Sequence, residues 1–145
     1  MSKKKTICYN LKACWHTISR MYNTHGLDHD VSISMGYVLL NLSMKSGVPS
    51  TQIAPQLGME PRSLTRLLKS MEEKELIRKV ASKEDKRKVE IFLTPKGNSK
   101  RKIASKTVKG FNEILESKID SKELDTFKSV LEQITHITEQ NFKTI

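Results

Sequence analysis

The apolar residues of this 145-residue chain recur at helical spacing in six segments, which predicts a mainly α-helical protein. The first segment covers about residues 6–22 and ends near His25 and Gly26. Ser32 precedes a second, strongly apolar segment that fits either a strand or a buried helix. Its length, and its closure by the polar residues 45–47, favour a helix covered on most sides.

Two short helices are predicted next, and their turn suggests a helix-turn-helix. Ser50 is the expected N-cap of the third helix, which Pro55 should bend or shorten. Gly58 makes a tight turn, and Pro61 suits the first position of the fourth helix. We expect the first turn of the third helix to support this arrangement through Ser50, Thr51 and Gln52. The buried stripe of the fourth helix is predicted to be Leu64, Leu67, Leu68 and Met71.

The opposite face of the fourth helix is basic and hydroxylated. Its candidate DNA-contacting residues are Arg62, Ser63, Thr65, Arg66 and Lys69. An arginine can offer two parallel hydrogen bonds to guanine, whereas short hydroxyl groups can bond base edges or phosphates. The alternative is an ordinary solvated helix face.

A charged hairpin follows, with strands predicted at residues 76–80 and 88–93 and a tip at residues 82–87. The tip places Lys86, Arg87 and Lys88 where a narrow minor groove would attract them. We expect Asp85 to hold the guanidinium of Arg87 by a charge-assisted hydrogen bond. A two-stranded hairpin is marginally stable alone, so it should pack on the neighbouring helices.

Two long helices complete the pattern, one beginning at Thr94-Pro95 and one after Asp120, which with Glu123 resembles a capping box. Both carry apolar stripes. Together with the first helix they predict a dimer interface, and packing within one chain is the alternative.

Charge and composition narrow the class of partner. The net charge is +10, and residues 83–109 hold ten Lys or Arg against three acids. Residues 110–145 hold four Lys against seven acids, so the basic charge is concentrated near the hairpin. This uneven distribution of charge favours a partner with an anionic surface. The alternative is a well-solvated basic face.

The composition also predicts where the protein works. No apolar run approaches the roughly 20 residues of a membrane span, and the lysine-rich N-terminus does not resemble a signal peptide. We therefore expect a cytoplasmic protein without membrane contact. Cys8 and Cys14 are six positions apart on one predicted helix, roughly 9 Å along its axis, too far to form a disulfide within one chain.

The order of these elements resembles the MarR-type winged-helix transcriptional regulators. The resemblance is carried by the segment Asp85-x-Arg87-x-x-x-Ile91-x-Leu93-Thr94-x-x-Gly97, preceded by residues 63–67 and by Leu76-Ile77. Pro55 in the third helix and Glu75, where a glycine is common before the first wing strand, are departures from the family pattern.

The resemblance implies an α+β, mainly α, winged helix-turn-helix fold with a two-stranded wing. It implies a single domain over residues 1–145, with a DNA-binding lobe at 33–94 and dimerisation helices at 1–25 and 98–145. Such a homodimer would act as a ligand-responsive repressor on a pseudo-palindromic operator in double-stranded DNA. Its implied effector is a small, often anionic aromatic compound in a cleft near Trp15, His16, Tyr22, His25 and Tyr37.

Several alternatives remain open from the sequence. Cys8 is similar in position to the reactive cysteine of peroxide-sensing relatives, and Tyr22 matches one of the tyrosines beside that thiol, although Ile33 stands where a second is expected. A zinc site from His16, His25, Asp28 and His29 lacks a compact ligand motif, so no metal is expected. No phosphate-binding glycine loop, nucleophile elbow or metalloprotease motif indicates an enzyme. A winged-helix module that binds an acidic protein is the remaining alternative.

Overall fold

The structure is a computed structural model that describes residues 6–141. Its helices are α1 (Ile7–Leu27), α2 (Ile33–Leu40), α3 (Ser50–Leu57), α4 (Pro61–Glu73), α5 (Pro95–Lys118) and α6 (Ser121–Asn141). Its strands are β1 (Val48–Pro49), β2 (Ile77–Ala81) and β3 (Val89–Leu93). The chain forms two compact units, one up to Lys106 and one from Thr107.

The first two helices begin at hydroxyl caps. Thr6 accepts a hydrogen bond from the Tyr9 N–H over 3.2 Å, and Ser32 accepts one from the Met35 N–H over 3.2 Å. The apolar segment after Ser32 is a helix, as its length predicted. Gly26 lies within α1, where a Cβ would stand 1.8 Å from the Val31 carbonyl oxygen. A glycine is therefore required for the chain to turn from α1 to α2.

The third helix does not begin as predicted. Pro49 is its N-cap and makes no side-chain capping bond, so the expectation that Ser50 caps α3 is wrong. Ser50 is instead the first helical residue, because Val48 and Pro49 are extended in β1. Pro55 lies inside this eight-residue helix, which ends at Leu57 and has Gly58, with a φ of +60°, as its C-cap.

The fourth helix begins with Pro61 at its first turn, as predicted, and the residue that follows its C-cap is left-handed although it is not a glycine. Glu75 has a φ of +60°. Its N–H donates to the Glu72 carbonyl over 2.9 Å, and the Leu76 N–H donates to the Met71 carbonyl over 2.9 Å. These two bonds form a Schellman motif, which satisfies carbonyls that the helix end leaves open.

The sheet has one strand more than the predicted two-stranded wing. β3 lies between β1 and β2 and is antiparallel to both, with Val48 opposite Ile91 and Ile77 opposite Leu93. The core of the first unit lies where the short helices meet this sheet, and Val38, Leu39, Ile53, Met71 and Ile91 are fully buried in it. The winged helix therefore has its own hydrophobic core.

The terminal helices carry exposed apolar residues. Asp120 caps α6, but its carboxylate accepts from the Lys122 N–H over 2.9 Å, and no described bond returns from Glu123, so the predicted capping box is only half formed. No residue of α6 is buried, and Ile114, Phe127, Val130 and Ile137 are exposed. Among residues 6–141, no helix combines the length and the apolarity that crossing a membrane requires.

Candidate nucleic-acid interface

The solvent face of α4 is the face that the sequence predicted. Leu64, Leu68 and Met71 are buried against the core, whereas all five candidate residues are exposed. The candidates are Arg62, Ser63, Thr65, Arg66 and Lys69. Burial of one stripe of an amphipathic helix necessarily turns the other face outward, so the core itself presents this basic surface.

The hydroxyl of Thr65 is engaged within the helix. It donates a hydrogen bond of 2.9 Å to the Pro61 carbonyl oxygen, four residues earlier. In this conformation Thr65 presents a methyl group and an acceptor oxygen to a ligand, while Ser63 has no such described bond. Of these two hydroxyl groups, that of Ser63 is therefore the better placed to donate a hydrogen bond to a partner.

The N-terminus of α4 is suited to an anion. Glu60 precedes it without a side-chain capping bond, and Pro61 has no backbone N–H to satisfy. The amides of the first helical turn have no carbonyl partner within the helix, and the helix dipole adds partial positive charge there. A phosphate group could accept hydrogen bonds from these amides.

Asp85 orders the hairpin tip, but not in the predicted way. Its carboxylate accepts a hydrogen bond of 3.0 Å from the backbone N–H of Arg87, and no ion pair joins it to the Arg87 guanidinium. Its carbonyl accepts from the Lys88 N–H over 2.9 Å, and the Lys88 carbonyl accepts from the Ser82 N–H over 2.8 Å. The expectation of a carboxylate–guanidinium contact is therefore wrong, because the backbone turn brings the Arg87 amide to Asp85 instead.

The basic side chains of the tip remain available to a partner. Lys86, Arg87 and Lys88 are exposed and form no ion pair with any residue in 6–141. Their backbone is fixed while their charged ends are solvated. At α3, Thr51 and Gln52 are exposed and Ser50 is half-buried, all three in the first turn.

The wing strands hold two cations that sequence reasoning missed. The Arg78 guanidinium lies 4.4 Å from the centre of the Phe92 ring, directly across the β2–β3 ladder. Lys79, on the other face of β2, pairs with Glu72 of α4 over 3.0 Å. The hairpin register would have revealed the first contact, since it places Arg78 opposite Phe92.

Of the five residues predicted for an effector cleft, Trp15, Tyr22 and Tyr37 lie close to one another, and His16 lines the cavity described below. Trp15 and Tyr37 are stacked with ring centres 6.1 Å apart. Burial raises the pKa of the Tyr22 phenol, and its neighbour Tyr37 raises it further. Burial also raises the pKa of Tyr37. Trp15, Tyr22 and Tyr37 therefore form an aromatic cluster, whereas His25 is exposed.

His16 lines a cavity of about 560 Å³ on another side of α1. The remaining lining residues are Ser19, Arg20, Asn23, Thr24, Gly26, Asp30, Val31, Ser32, Met35 and Lys74. The Ser19 hydroxyl oxygen is buried without a hydrogen-bond partner among the residues that the structure describes. The charged residues among those that line the cavity are Arg20, Lys74 and Asp30.

An ion pair crosses the cavity wall. The Lys74 Nζ lies 2.6 Å from each carboxylate oxygen of Asp30. This hydrogen bond and the charge of Lys74 hold the pKa of the Asp30 carboxyl below its ordinary value, and the charges of Lys100 and Lys96 act in the same direction. No local sequence pattern indicates this pair, because its members are 44 residues apart.

The cysteines and histidines within residues 6–141 are not grouped into a metal site. Cys8 and Cys14 are both exposed thiols. Within residues 6–141, no group of three or more His, Cys, Asp or Glu side chains is placed to hold a metal ion. The candidate zinc ligands His16, His25, Asp28 and His29 therefore do not converge.

Comparison with known proteins supports the fold and the family resemblance. The MarR family model matches residues 33–89. The HTH-type transcriptional regulator TtmR of Methylorubrum extorquens (strain PA1) is 32% identical over 91 residues, which cover 63% of this chain and 47% of TtmR. SarZ of Staphylococcus aureus (strain MRSA252), also named an HTH-type transcriptional regulator, is 26% identical over 110 residues, 75% of this chain and 74% of SarZ. The chain thus spans about half the length of TtmR and about three quarters of SarZ.

Solved structures show the same fold. An S. aureus MepR–DNA complex has a TM-score of 0.84 at 21% identity, covering 90% of this chain and 96% of MepR. A MarR-family regulator from Listeria monocytogenes, complexed with a 26mer DNA, also has a TM-score of 0.84, at 15% identity, covering 94% of this chain and 91% of that one. The relatives are regulators by name, which agrees with the expectation that the chain is not an enzyme. The match of the MarR family model to residues 33–89, the named relatives and the shared winged helix-turn-helix fold confirm the resemblance to MarR-family regulators.

Proposed function

We propose that this protein is a sequence-specific DNA-binding transcriptional regulator, a repressor that acts in the cytoplasm as a homodimer. The observation that carries the proposal is the connection between two exposed basic surfaces. The Schellman motif at Glu75 joins the end of α4 directly to β2, and β2 leads to the tip with Lys86, Arg87 and Lys88. One ordered unit thus presents both a basic helix face and a basic loop.

The two surfaces suit the two grooves of DNA. A helix of the width of α4 fits the major groove, where Arg66 would bond guanine and Arg62 or Lys69 would contact phosphates. The hairpin tip would enter the adjacent minor groove, whose negative potential attracts arginine. In the MepR and Listeria structures the bound partner is also DNA.

A homodimer would explain the exposed apolar side chains of the terminal helices. Ile7 on α1 and Ile114, Phe127 and Ile137 on α5 and α6 are each more than half exposed. When a second subunit covers this many apolar side chains, their removal from water stabilises the dimer. Two linked copies would read half-sites one helical turn apart, about 10–10.5 bp, which fits a pseudo-palindromic operator.

A small effector would control the regulator through the cavity beside His16. Its volume of about 560 Å³ is within the range of small-molecule sites. Arg20 and Lys74 outnumber the single lining carboxylate of Asp30, so the cavity favours an anion. The aromatic cluster of Trp15, Tyr22 and Tyr37 belongs to the neighbouring wall of α1 and α2, not to this lining.

Titration of the protein against the DNA upstream of its own gene tests the proposal. We expect a preference for that duplex over a shuffled duplex of equal composition, and an affinity that falls linearly with salt on logarithmic scales. Footprinting should show two protected half-sites. Equal binding to both duplexes would contradict the proposal that the protein is a sequence-specific repressor. A winged-helix module that binds an acidic protein would then be the better explanation.

Peroxide sensing is a second candidate for the control step. Cys8 is exposed in the first turn of α1, so an oxidant has access to its thiol. Repeating the footprint with an organic hydroperoxide, on the protein and on Cys8→Ser, separates this candidate from ligand control. Loss of protection that requires Cys8 would identify a redox switch.

A further inference from the structure

The exposed side of α5 has the same kinds of side chain as the candidate DNA-contacting side of α4. Residues 95–106 hold five Lys or Arg and no acid. Apart from Pro95, every exposed residue in this range is a cation or a serine. These residues are Lys96, Ser99, Arg101, Lys102, Ser105 and Lys106. Three of the cations, Arg101, Lys102 and Lys106, form what is called here the basic face of α5.

The stability of α5 does not explain these charges. Its first turn holds no acid, although the positive end of a helix dipole favours acids there. Lys96 and Lys100 are four residues apart, and so are Lys102 and Lys106, a spacing at which like charges destabilise a helix. Within residues 6–141, no ion pair involves a residue of the basic face. A bound polyanion would relieve this repulsion.

The basic face belongs to a helix that begins at the end of the wing opposite to the tip. β3 runs from the tip to Leu93, about 13 Å at the usual rise of a strand. α5 follows, and the Lys96 Nζ donates a hydrogen bond of 2.8 Å to the Lys74 carbonyl at the C-terminal end of α4. Helix-turn-helix proteins read bases with the N-terminal residues of the recognition helix. A duplex read by α4 and the tip would therefore be held at the other end of both elements.

The chemistry of the basic face suits the phosphates of a duplex better than the acids of another copy of this chain. The acids on the exposed side of α6 are Asp125, Glu132 and Glu139, which are single carboxylates about 10 Å apart along the helix. Exposed pairs between single charges contribute little free energy. A duplex carries a dense line of phosphates, and each phosphate that a cation neutralises also releases condensed counterions.

We propose that the basic face of α5 binds the phosphate backbone of a second segment of duplex DNA, so that the protein holds two duplexes together. The first duplex is the one held by α4 and the hairpin tip, and to that extent the inference rests on the proposed function. The second contact reads no base, because it consists of charges on phosphates. It should therefore accept any sequence.

Bridging is measured with one duplex fixed to beads and a fluorescent duplex of shuffled sequence in solution. The unmodified protein should retain the fluorescent duplex on the beads. Arg101→Gln/Lys102→Gln/Lys106→Gln should retain about tenfold less, while its affinity for the bead duplex stays within about twofold. Glutamine is a good helix former and the like charges are gone, so this variant should melt no lower than the unmodified protein.

A matched control has the same change in charge elsewhere. Lys118→Gln/Lys122→Gln/Lys128→Gln, at the end of α5 and on α6, should retain the fluorescent duplex fully. The salt dependence gives a second measure, since removing three phosphate contacts should lower the logarithmic salt slope of retention by about 2–3.

Several outcomes would overturn the proposal. No retention by the unmodified protein, or equal retention by the variant of the basic face, would show that α5 holds no second duplex. An equal loss of affinity for the bead duplex would assign the basic face to the first duplex. Sedimentation without DNA tests the other partner, because association that disappears in the same variant would identify another copy of the chain.

Failure of the proposed function would be seen separately. Equal affinity for upstream and shuffled bead duplexes would contradict sequence-specific binding. Retention of the fluorescent duplex would still test the basic face, because neither duplex then needs a particular sequence.

Discussion

The Thr94 hydroxyl donates a hydrogen bond of 2.6 Å to the Glu75 carbonyl oxygen, and so joins the turn between α4 and β2 to the residue after β3. The same hydroxyl oxygen accepts from the Gly97 N–H over 2.9 Å, which caps α5. One side chain therefore closes the base of the wing and begins the next helix.

Replacing Thr94 by valine keeps its shape and removes both hydrogen bonds. We expect a loss of about 2 kcal/mol in the free energy of unfolding, measured by urea denaturation. Thr126→Val is the control, since the Thr126 hydroxyl only bonds the Lys122 carbonyl on the exposed side of α6. Equal losses in the two variants would contradict a special role for Thr94.

Glu75 and Gly58 have the same left-handed backbone but different side chains. Both have a φ of +60°, and a Cβ at Gly58 would meet nothing within 4 Å. Glu75→Gly should therefore raise the free energy of unfolding by about 0.5–1 kcal/mol, net of the greater chain entropy of unfolded glycine. The distant contact between Glu75 and Lys96, at 3.8 Å, is too exposed to offset the gain.

Gly58→Ala is the matched opposite change. It should lower the free energy of unfolding by about 1 kcal/mol, from backbone strain alone. Thermal denaturation of both variants gives the comparison, and shifts of the same sign would refute the argument from φ.

Two glycines of α5 should respond in opposite ways to alanine. A Cβ at Gly97 would stand 1.9 Å from the Leu76 carbonyl oxygen, whereas one at Gly110 would meet nothing within 4 Å. Gly97→Ala should cost about 2–3 kcal/mol, because the first turn of α5 could no longer lie against the backbone of Leu76. Gly110→Ala should stabilise the chain by about 0.5–1 kcal/mol through helix propensity. Urea denaturation measures the free energy of unfolding of both variants. An unchanged stability of Gly97→Ala would show that the close contact between Gly97 and Leu76 is not required.

The sequence predicted the helices well because each depends on a local apolar stripe. The stripe of Leu64, Leu67, Leu68 and Met71 fixed the orientation of α4 without knowledge of its neighbours. The start of α3 was missed for the opposite reason. Val48 and Pro49 are extended because they pair with Ile91 and Glu90, some 40 residues later, and no local pattern encodes that pairing.

Helix geometry separates the residues predicted for the effector cleft. Adjacent helical residues point about 100° apart, so Trp15 and His16 lie on different faces of α1. His16, Ser19, Arg20 and Asn23 follow the i, i+3, i+4, i+7 spacing of one face, and they line the cavity. Trp15 and Tyr22 share the next face. Spacing could have found this division, but Asp30 and Lys74 needed the tertiary fold.

Arg66 and Arg87 should contribute differently to DNA binding. Arg66→Ala should relax discrimination at one base pair by about 1–3 kcal/mol, because it removes a base contact. Arg87→Ala should weaken binding to all duplexes and reduce the salt slope by about 1, because it removes a minor-groove and phosphate contact. Titrations against single-base operator variants at several salt concentrations measure both. If both variants lost the same affinity for every duplex, this division of roles would be wrong.

The Asp30–Lys74 pair should be sensitive to acid. Because Lys74 lowers the pKa of Asp30, the contribution of this pair to stability is fully present above the ordinary value of 3.8 and is lost as pH falls through the lower folded pKa. The carboxyl carbon chemical shift of Asp30, followed by NMR, should titrate below 3.8 and move towards it in Lys74→Met. Lys96 and Lys100 should retain part of the lowering. An unchanged midpoint in Lys74→Met would show that the pair does not form in solution.

The position of β3 between two partners determines where the chain can change length. A residue inserted in β3 would shift its register against both β1 and β2, whereas the tip at residues 82–88 belongs to neither ladder. Insertions and deletions should therefore be tolerated at the tip and rejected in the strand that supports it. The depth to which the tip reaches can vary independently of the framework that holds α4.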